Sequence, residues 1–130
     1  MKTRIDTLTP FITRDGSEIR ELMHPAVHAS LGVRNQSLAQ ARVAPGERTV
    51  RHCHHESEEI YHISAGSGRM QCDDNWFSIQ PGDSICIPPG MPHRLENTGD
   101  SILIVLCCCS PPYSHQDTEL LEADEAADER

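Results

Sequence analysis

No two cysteines of this chain are spaced CxxC, which argues against a thiolate zinc cluster. No apolar run approaches the roughly 20 residues that a membrane-spanning helix needs, so no membrane partner is expected. Bases are scarce. Eleven Lys and Arg stand against 20 Asp and Glu, for a net charge of −9, and no basic footprint is present for a nucleic-acid backbone. The N-terminal Met1-Lys2-Thr3-Arg4-Ile5-Asp6 has no apolar stretch of the secretory-signal kind. A cytoplasmic setting with reduced thiols is therefore expected, and buried reduced cysteines act as small hydrophobes.

What is present reads as one domain, since 130 residues bury roughly two thirds of the surface of the unfolded chain. The charge is uneven. Asp117 to Arg130 holds seven acids and one base, a charge of −6, which leaves −3 for the rest. The chain divides into an N-terminal extension (1–36), a central unit (37–116) and an acidic tail (117–130). In the extension, Thr13 to Pro25 reads as a short helix, with Asp15 or Ser17 as cap, Ile19, Leu22 and Met23 as its apolar side and Pro25 as its stop. In the tail, Thr118 to Ala127 reads as a frayed segment or a short amphipathic helix.

Between these ends the pattern is that of strands. Gly and Pro punctuate at Pro45-Gly46, Gly66, Gly68, Pro81-Gly82, Pro88-Pro89-Gly90 and Gly99, a spacing that suits an all-β sandwich or barrel. Strands are expected over Leu38–Ala44, Thr49–His54, Glu59–Ser64, Arg69–Cys72, Trp76–Ile79, Ser84–Ile87, His93–Asn97 and Ile102–Cys109. Asp73-Asp74-Asn75 supplies a turn that tolerates left-handed geometry.

Two runs carry the chemistry: His52-Cys53-His54-His55-Glu56-Ser57-Glu58-Glu59, and Pro88-Pro89-Gly90-Met91-Pro92-His93. On a strand, His52 and His54 leave the same face and Cys53 leaves the other. Glu58 and Glu59 open the next strand, and His93 opens another. If Glu59 faces inward, Tyr61 and Ile63 follow it; if Glu58 does, Ile60 and His62 follow. Alternation leaves that choice open. Imidazoles with a carboxylate suit Fe(II), Mn(II), Co(II), Ni(II) or Zn(II) better than Mg(II) or Ca(II).

The intervals bring in a resemblance. Gly46, five residues, His52-x-His54, four residues, Glu59, six residues, Gly66 resembles the first cupin motif. Gly82, five residues, Pro88-x-Gly90, two residues, His93, three residues, Asn97 resembles the second. The resemblance implies a double-stranded β-helix, or jelly-roll, barrel. It also implies His52, His54, Glu59 and His93 as ligands of one divalent transition metal (Fe, Mn, Zn, Ni or Co) per chain, Glu59 being selected over Glu58 by the interval to Gly66. Asn97 takes a structural role, and a homodimer paired through a barrel edge is expected.

Substrate contacts are expected from inward positions near the metal. Tyr61 shares a side with Glu59 and offers a phenol as donor or weak acid. Gln40 and Arg42 lie on a strand whose other face, Ala39, Ala41 and Val43, is apolar. Either that face lines the core and the polar pair lies outside, or the pair enters the barrel mouth and Arg42 clamps an anionic substrate. Either Cys108, or Cys107 with Cys109, faces inward. Tyr113, after Pro111-Pro112, could cover a barrel opening. With two open metal positions, an enzyme acting on a small organic molecule, by dioxygenase, isomerase, lyase or rearrangement chemistry, is the leading expectation. A non-catalytic small-molecule or sugar-binding module is its alternative, and a storage-type protein, which often loses ligands, comes last.

Overall fold

The computed structural model describes residues 1–121. Among these, eleven strands and two short 3₁₀ turns (Ile5–Thr7 and Ala29–Leu31) are present, with no α-helix. The strands are β1 (Phe11–Ile12), β2 (Glu18–Met23), β3 (Ser37–Val43), β4 (His52–His54), β5 (Glu58–Ala65), β6 (Gly68–Cys72), β7 (Asn75–Ile79), β8 (Ser84–Ile87), β9 (His93–Glu96), β10 (Leu103–Ser110) and β11 (Thr118–Leu120). They form a six-stranded sheet, β1-β2-β3-β10-β5-β8, and a five-stranded sheet, β11-β4-β9-β6-β7. Every pairing is antiparallel.

Period-two burial explains the packing of the two sheets. Along β5, Glu59, Tyr61 and Ile63 are buried while Glu58, Ile60 and His62 are exposed. Along β10, Leu103, Val105, Cys107 and Cys109 are buried, and Ile104, Leu106 and Cys108 are less so. Ile63, Leu103 and Val105 of the first sheet meet Met70 and Leu95 of the second in one core. Each such aliphatic side chain contributes about 1.5–3 kcal/mol on burial. The β6–β7 hairpin closes on Asp73-Asp74, where Asp73 takes φ 53°, so one of the acidic turn residues adopts left-handed backbone.

Both chain ends differ from expectation. The helix over Thr13 to Pro25 is absent, and β2 runs through it, paired with β3 along Glu18↔Arg42, Ile19↔Ala41 and Arg20↔Gln40. Ile19, Leu22 and Met23 do match a helical stripe, but pairing with the long β3 outweighs that local preference. Asp15-Gly16 forms the tip of the β1–β2 hairpin instead of a helix cap, with Gly16 at φ 91°. At the other end, Thr118–Leu120 is a strand that covers the edge of β4, through Thr118↔His54, Glu119↔Cys53 and Leu120↔His52. The rest of the acidic tail, residues 122–130, lies outside the described residues.

Candidate metal centre

The hairpin-and-turn grammar brings the candidate ligands together from three strands. His52 and His54 share the inner face of β4, and His52 is the direct cross-strand partner of His93 on β9. Glu59 reaches the cluster from β5 in the opposing sheet, 3.2 Å from His54 Nε2 and 3.4 Å from His93 Nε2 through its Oε1. The three histidines are buried, and one ring nitrogen of each lies within 4.8 Å of the others.

The ring tautomers follow from the partners of the other nitrogens. His52 Nδ1 lies 2.7 Å from the Val50 carbonyl, and His93 Nδ1 lies 2.9 Å from the Met91 carbonyl. A carbonyl only accepts, so both Nδ1 atoms carry hydrogen. His54 Nδ1 lies 3.0 Å from Thr118 Oγ1, whose own proton goes to the Ser114 carbonyl at 2.9 Å. His54 Nδ1 therefore donates as well. All three Nε2 lone pairs are left to face the cluster, which is the outer-shell arrangement that orients imidazole ligands.

Glu59 is held in the same manner. Cys109 Sγ donates to its Oε2 at 3.2 Å, while Oε1 is aimed at the imidazoles. Glu59 Oε1 and His93 Nε2 are both buried without a hydrogen-bond partner, because their contacts lack hydrogen-bond geometry. Two orphaned polar atoms that face each other in a buried cluster are costly unless something joins them. A cation between an acceptor oxygen and imidazole lone pairs satisfies both, so the residues fit a divalent transition ion.

The charges of His52 and Glu59 agree with ligand duty. Burial, and then the neighbouring His93, push the His52 imidazole down to about 4, so it is neutral and ready to bind near pH 7. Burial alone would push Glu59 up, but adjacent His54 and His93 outweigh it and hold the carboxyl well below the usual range. Burial likewise opposes protonation of His54, yet contact with Glu59 prevails and raises it.

The cluster stands beside a cavity of about 40 Å³. Tyr61 lines it, with its ring 5.8 Å from that of His93 at 76°. Burial, then the charge of Glu59, raise the Tyr61 phenol well above its ordinary value, so it keeps its proton. Gln40 and Arg42 are not brought to the pocket. Ala39 and Ala41 of the same strand line it, and alternation turns the polar pair outward, where Arg42 Nε donates to Gln40 Oε1 at 3.0 Å. Of the two cysteine alternatives, the wall takes Cys107 and Cys109. Burial, then Glu59, keep the Cys109 thiol protonated and thus a donor.

Three more groups in the wall had no sequence assignment to a site or only a loose one. Tyr113 stands edge-on to His54 at 5.8 Å, and burial pushes its phenol up to about 12. Glu21 of β2 has a buried Oε1 without a partner, and burial, partly offset by His24, raises its pKa. Asp15, at the hairpin tip, reaches within 3.6 Å of His52 Nε2. The Asp15-Gly16 dipeptide was the available signal, as a hairpin mark rather than a helix cap. Outside the pocket, Cys53, His55 and Glu119 gather on the outer face, with His55 Nε2 2.8 Å from Glu119 Oε1.

Comparison with known proteins decides the family. The family described as Cupin domain matches residues 39–109. The chain belongs to the cupin family. This cupin is 52% identical over 122 residues to Uncharacterized protein MJ1618 of Methanocaldococcus jannaschii, covering 94% of the chain and 95% of that protein. It is 33% identical over 119 residues to Protein SchB of Streptomyces halstedii, covering 88% and 83% of the two chains. Its fold is shared with a solved structure described as a predicted oxalate decarboxylase of Thermotoga maritima, at TM-score 0.73 and 24% identity, over 85% of this cupin and 99% of that chain.

Proposed function

We propose that this cupin is a metal-dependent enzyme acting on a small organic molecule, with His52, His54, Glu59 and His93 as the protein ligands of one divalent transition ion. The observation that carries the reading is the pair of buried, unpartnered atoms Glu59 Oε1 and His93 Nε2. They face imidazoles whose Nδ1 atoms are all committed elsewhere.

When bound, the ion supplies a Lewis acid that polarises a carbonyl, or, as Fe(II), a redox centre. The chain's own residues do the rest. Tyr61, which keeps its proton at neutral pH, donates a hydrogen bond or a proton to a developing oxyanion. Glu21, whose carboxyl is raised by burial, is the pocket's second acid-base group and accepts or returns a proton on the β2 side. Ile19, Ala39 and Ala41 give the pocket an apolar wall that excludes water from this chemistry.

The two sheets are read as the halves of a double-stranded β-helix, and the protein as a cytoplasmic homodimer. The six free thiols accord with a reducing compartment. Among the described residues, no helix is long and apolar enough to cross a membrane. For the dimer, Leu38 and Ile60 flank Cys108 on the outer face of the six-stranded sheet, 38% and 45% exposed.

Turnover tests the enzymatic reading. Protein loaded in turn with Fe(II), Mn(II), Ni(II) and Zn(II) is offered small acids, diketones, thiols and sugar phosphates. At least one pairing is expected to turn over and to lose its rate in Tyr61→Phe. Tight binding of one compound with no turnover in any metal form would make the protein a binding module instead.

A further inference from the structure

We infer that Asp15 is a fifth protein donor of this metal centre, delivered by the tip of the β1–β2 hairpin. The inference rests on the four-ligand site proposed above. It extends that site to a segment that lies outside both sequence motifs.

The hairpin tip is built to aim one oxygen. Asp15 Oδ1 accepts from the Thr13 hydroxyl, from the Ser17 amide at 3.0 Å and from the Ser17 hydroxyl at 2.7 Å. Three donors on one oxygen fix the carboxylate plane and leave Oδ2 free. That free oxygen lies 3.6 Å from His52 Nε2, the lone-pair nitrogen of a proposed ligand. The Glu59 contacts to His54 and His93 are 3.2 and 3.4 Å, so Asp15 stands off from its histidine by nearly the same interval as the proposed carboxylate ligand does. Adjacent donors around an ion with bonds of about 2.0–2.2 Å lie about 3 Å apart, so Asp15 Oδ2, at 3.6 Å from His52 Nε2 and outside the group that His52, His54 and His93 form, would have to move toward the other two imidazoles to join them.

The backbone ties the tip to the strand it serves. Val50 N donates to the Asp15 carbonyl at 2.7 Å, and the Val50 carbonyl accepts from His52 Nδ1 at 2.7 Å. A single residue, Val50, therefore sets both the height of the hairpin tip and the rotation of the His52 ring. Asp15 is also largely buried, with its side chain 15% exposed, which is unusual for an acid whose only task is a surface turn. The consequence is specific. Three neutral imidazoles and two carboxylates would together balance the charge of a divalent ion held by these five residues.

Asp15→Asn separates the donor role from the turn, because the asparagine carbonyl can still accept from Thr13 and Ser17 while the anionic oxygen is lost. Co(II) is titrated into metal-free protein carrying Cys53→Ser, which removes the thiolate of the outer Cys53–His55–Glu119 group. The visible ligand-field bands and the Kd are read. Asp15→Asn is expected to weaken Co(II) about 10- to 100-fold and to change the band pattern. An unchanged Kd and spectrum would overturn the inference while leaving the four-ligand site intact. Equal Co(II) binding in His52→Ala with His93→Ala would instead overturn the four-ligand site, and the inference with it. Should Asp15→Asn fail to fold, Asp15→Glu keeps the charge and moves the oxygen by one methylene; a changed spectrum supports ligation and an unchanged one contradicts it.

Discussion

At the scale of single residues, the proposed centre depends on groups outside its proposed ligand set. Cys109 is the clearest, because its thiol, kept protonated by burial, holds Glu59 Oε2 and thereby presents Oε1 to His54 and His93. Cys109→Ala is expected to weaken metal binding about tenfold, with Cys109→Ser restoring most of it, as read by competition with a chelator. An alanine variant that binds as tightly as the parent would show that Glu59 needs no such support. Gly66 acts on the fold rather than the site. It sits at φ 79°, and a Cβ there would lie 2.5 Å from the Ile102 carbonyl. Asn97 ties the same region, donating through Nδ2 to the Val43 and Ser101 carbonyls at 2.8 Å each and accepting from Gly99 N at 2.9 Å. The motif positions outside the ligand set are thus explained by backbone geometry and hydrogen bonding.

At the scale of elements, β4 and β11 are held by a loop clamp whose pH dependence is readable. Asp117 accepts from Glu56 N at 2.9 Å and from Ser57 N at 3.0 Å. Burial would raise its carboxyl, but these amides outweigh burial and lower it below 3.8. A carboxyl lowered on folding contributes stability above its unfolded value and loses it as pH falls through the folded one. Asp117→Asn should therefore cost about 1 kcal/mol at pH 7, kept small by exposure, and flatten the stability slope below about pH 4. Acid unfolding curves that superimpose on those of the parent would refute the clamp.

The elements also show what could be read in advance. His52 and His54 were paired by alternation, and the interval to Gly66 pointed to Glu59, which is the buried one of the two glutamates. β2 was misread because Ile19, Leu22 and Met23 match a helical stripe, and only pairing with β3, distant in sequence, overrides it. With that misreading went Asp15 and Glu21, whose place in the pocket exists only once β2 lies beside β3. Gln40 and Arg42 failed to reach the pocket for a related reason: alternation gives two faces, and the inner one took the small residues Ala39 and Ala41. Tyr113 approaches His54 by way of Pro111-Pro112, along a path that no periodicity encodes.

At the scale of the whole molecule, the exposed Leu38 and Ile60, with half-buried Cys108 between them, leave the outer face of the six-stranded sheet available to a second copy. Light scattering should give a dimer mass for the parent and a monomer mass for Ile60→Glu; a parent that is already a monomer would remove the dimer. The protein's organisation otherwise converges on one cluster, since two sheets, a C-terminal strand and an N-terminal hairpin all deliver groups to His52, His54, Glu59 and His93. The most direct measurement is metal content by elemental analysis of protein prepared without chelator, set against His52→Ala with His93→Ala, both in the Cys53→Ser background. The account predicts about one transition ion per chain in the former and a near-complete loss in the latter. Equal metal content in a folded double variant would contradict it.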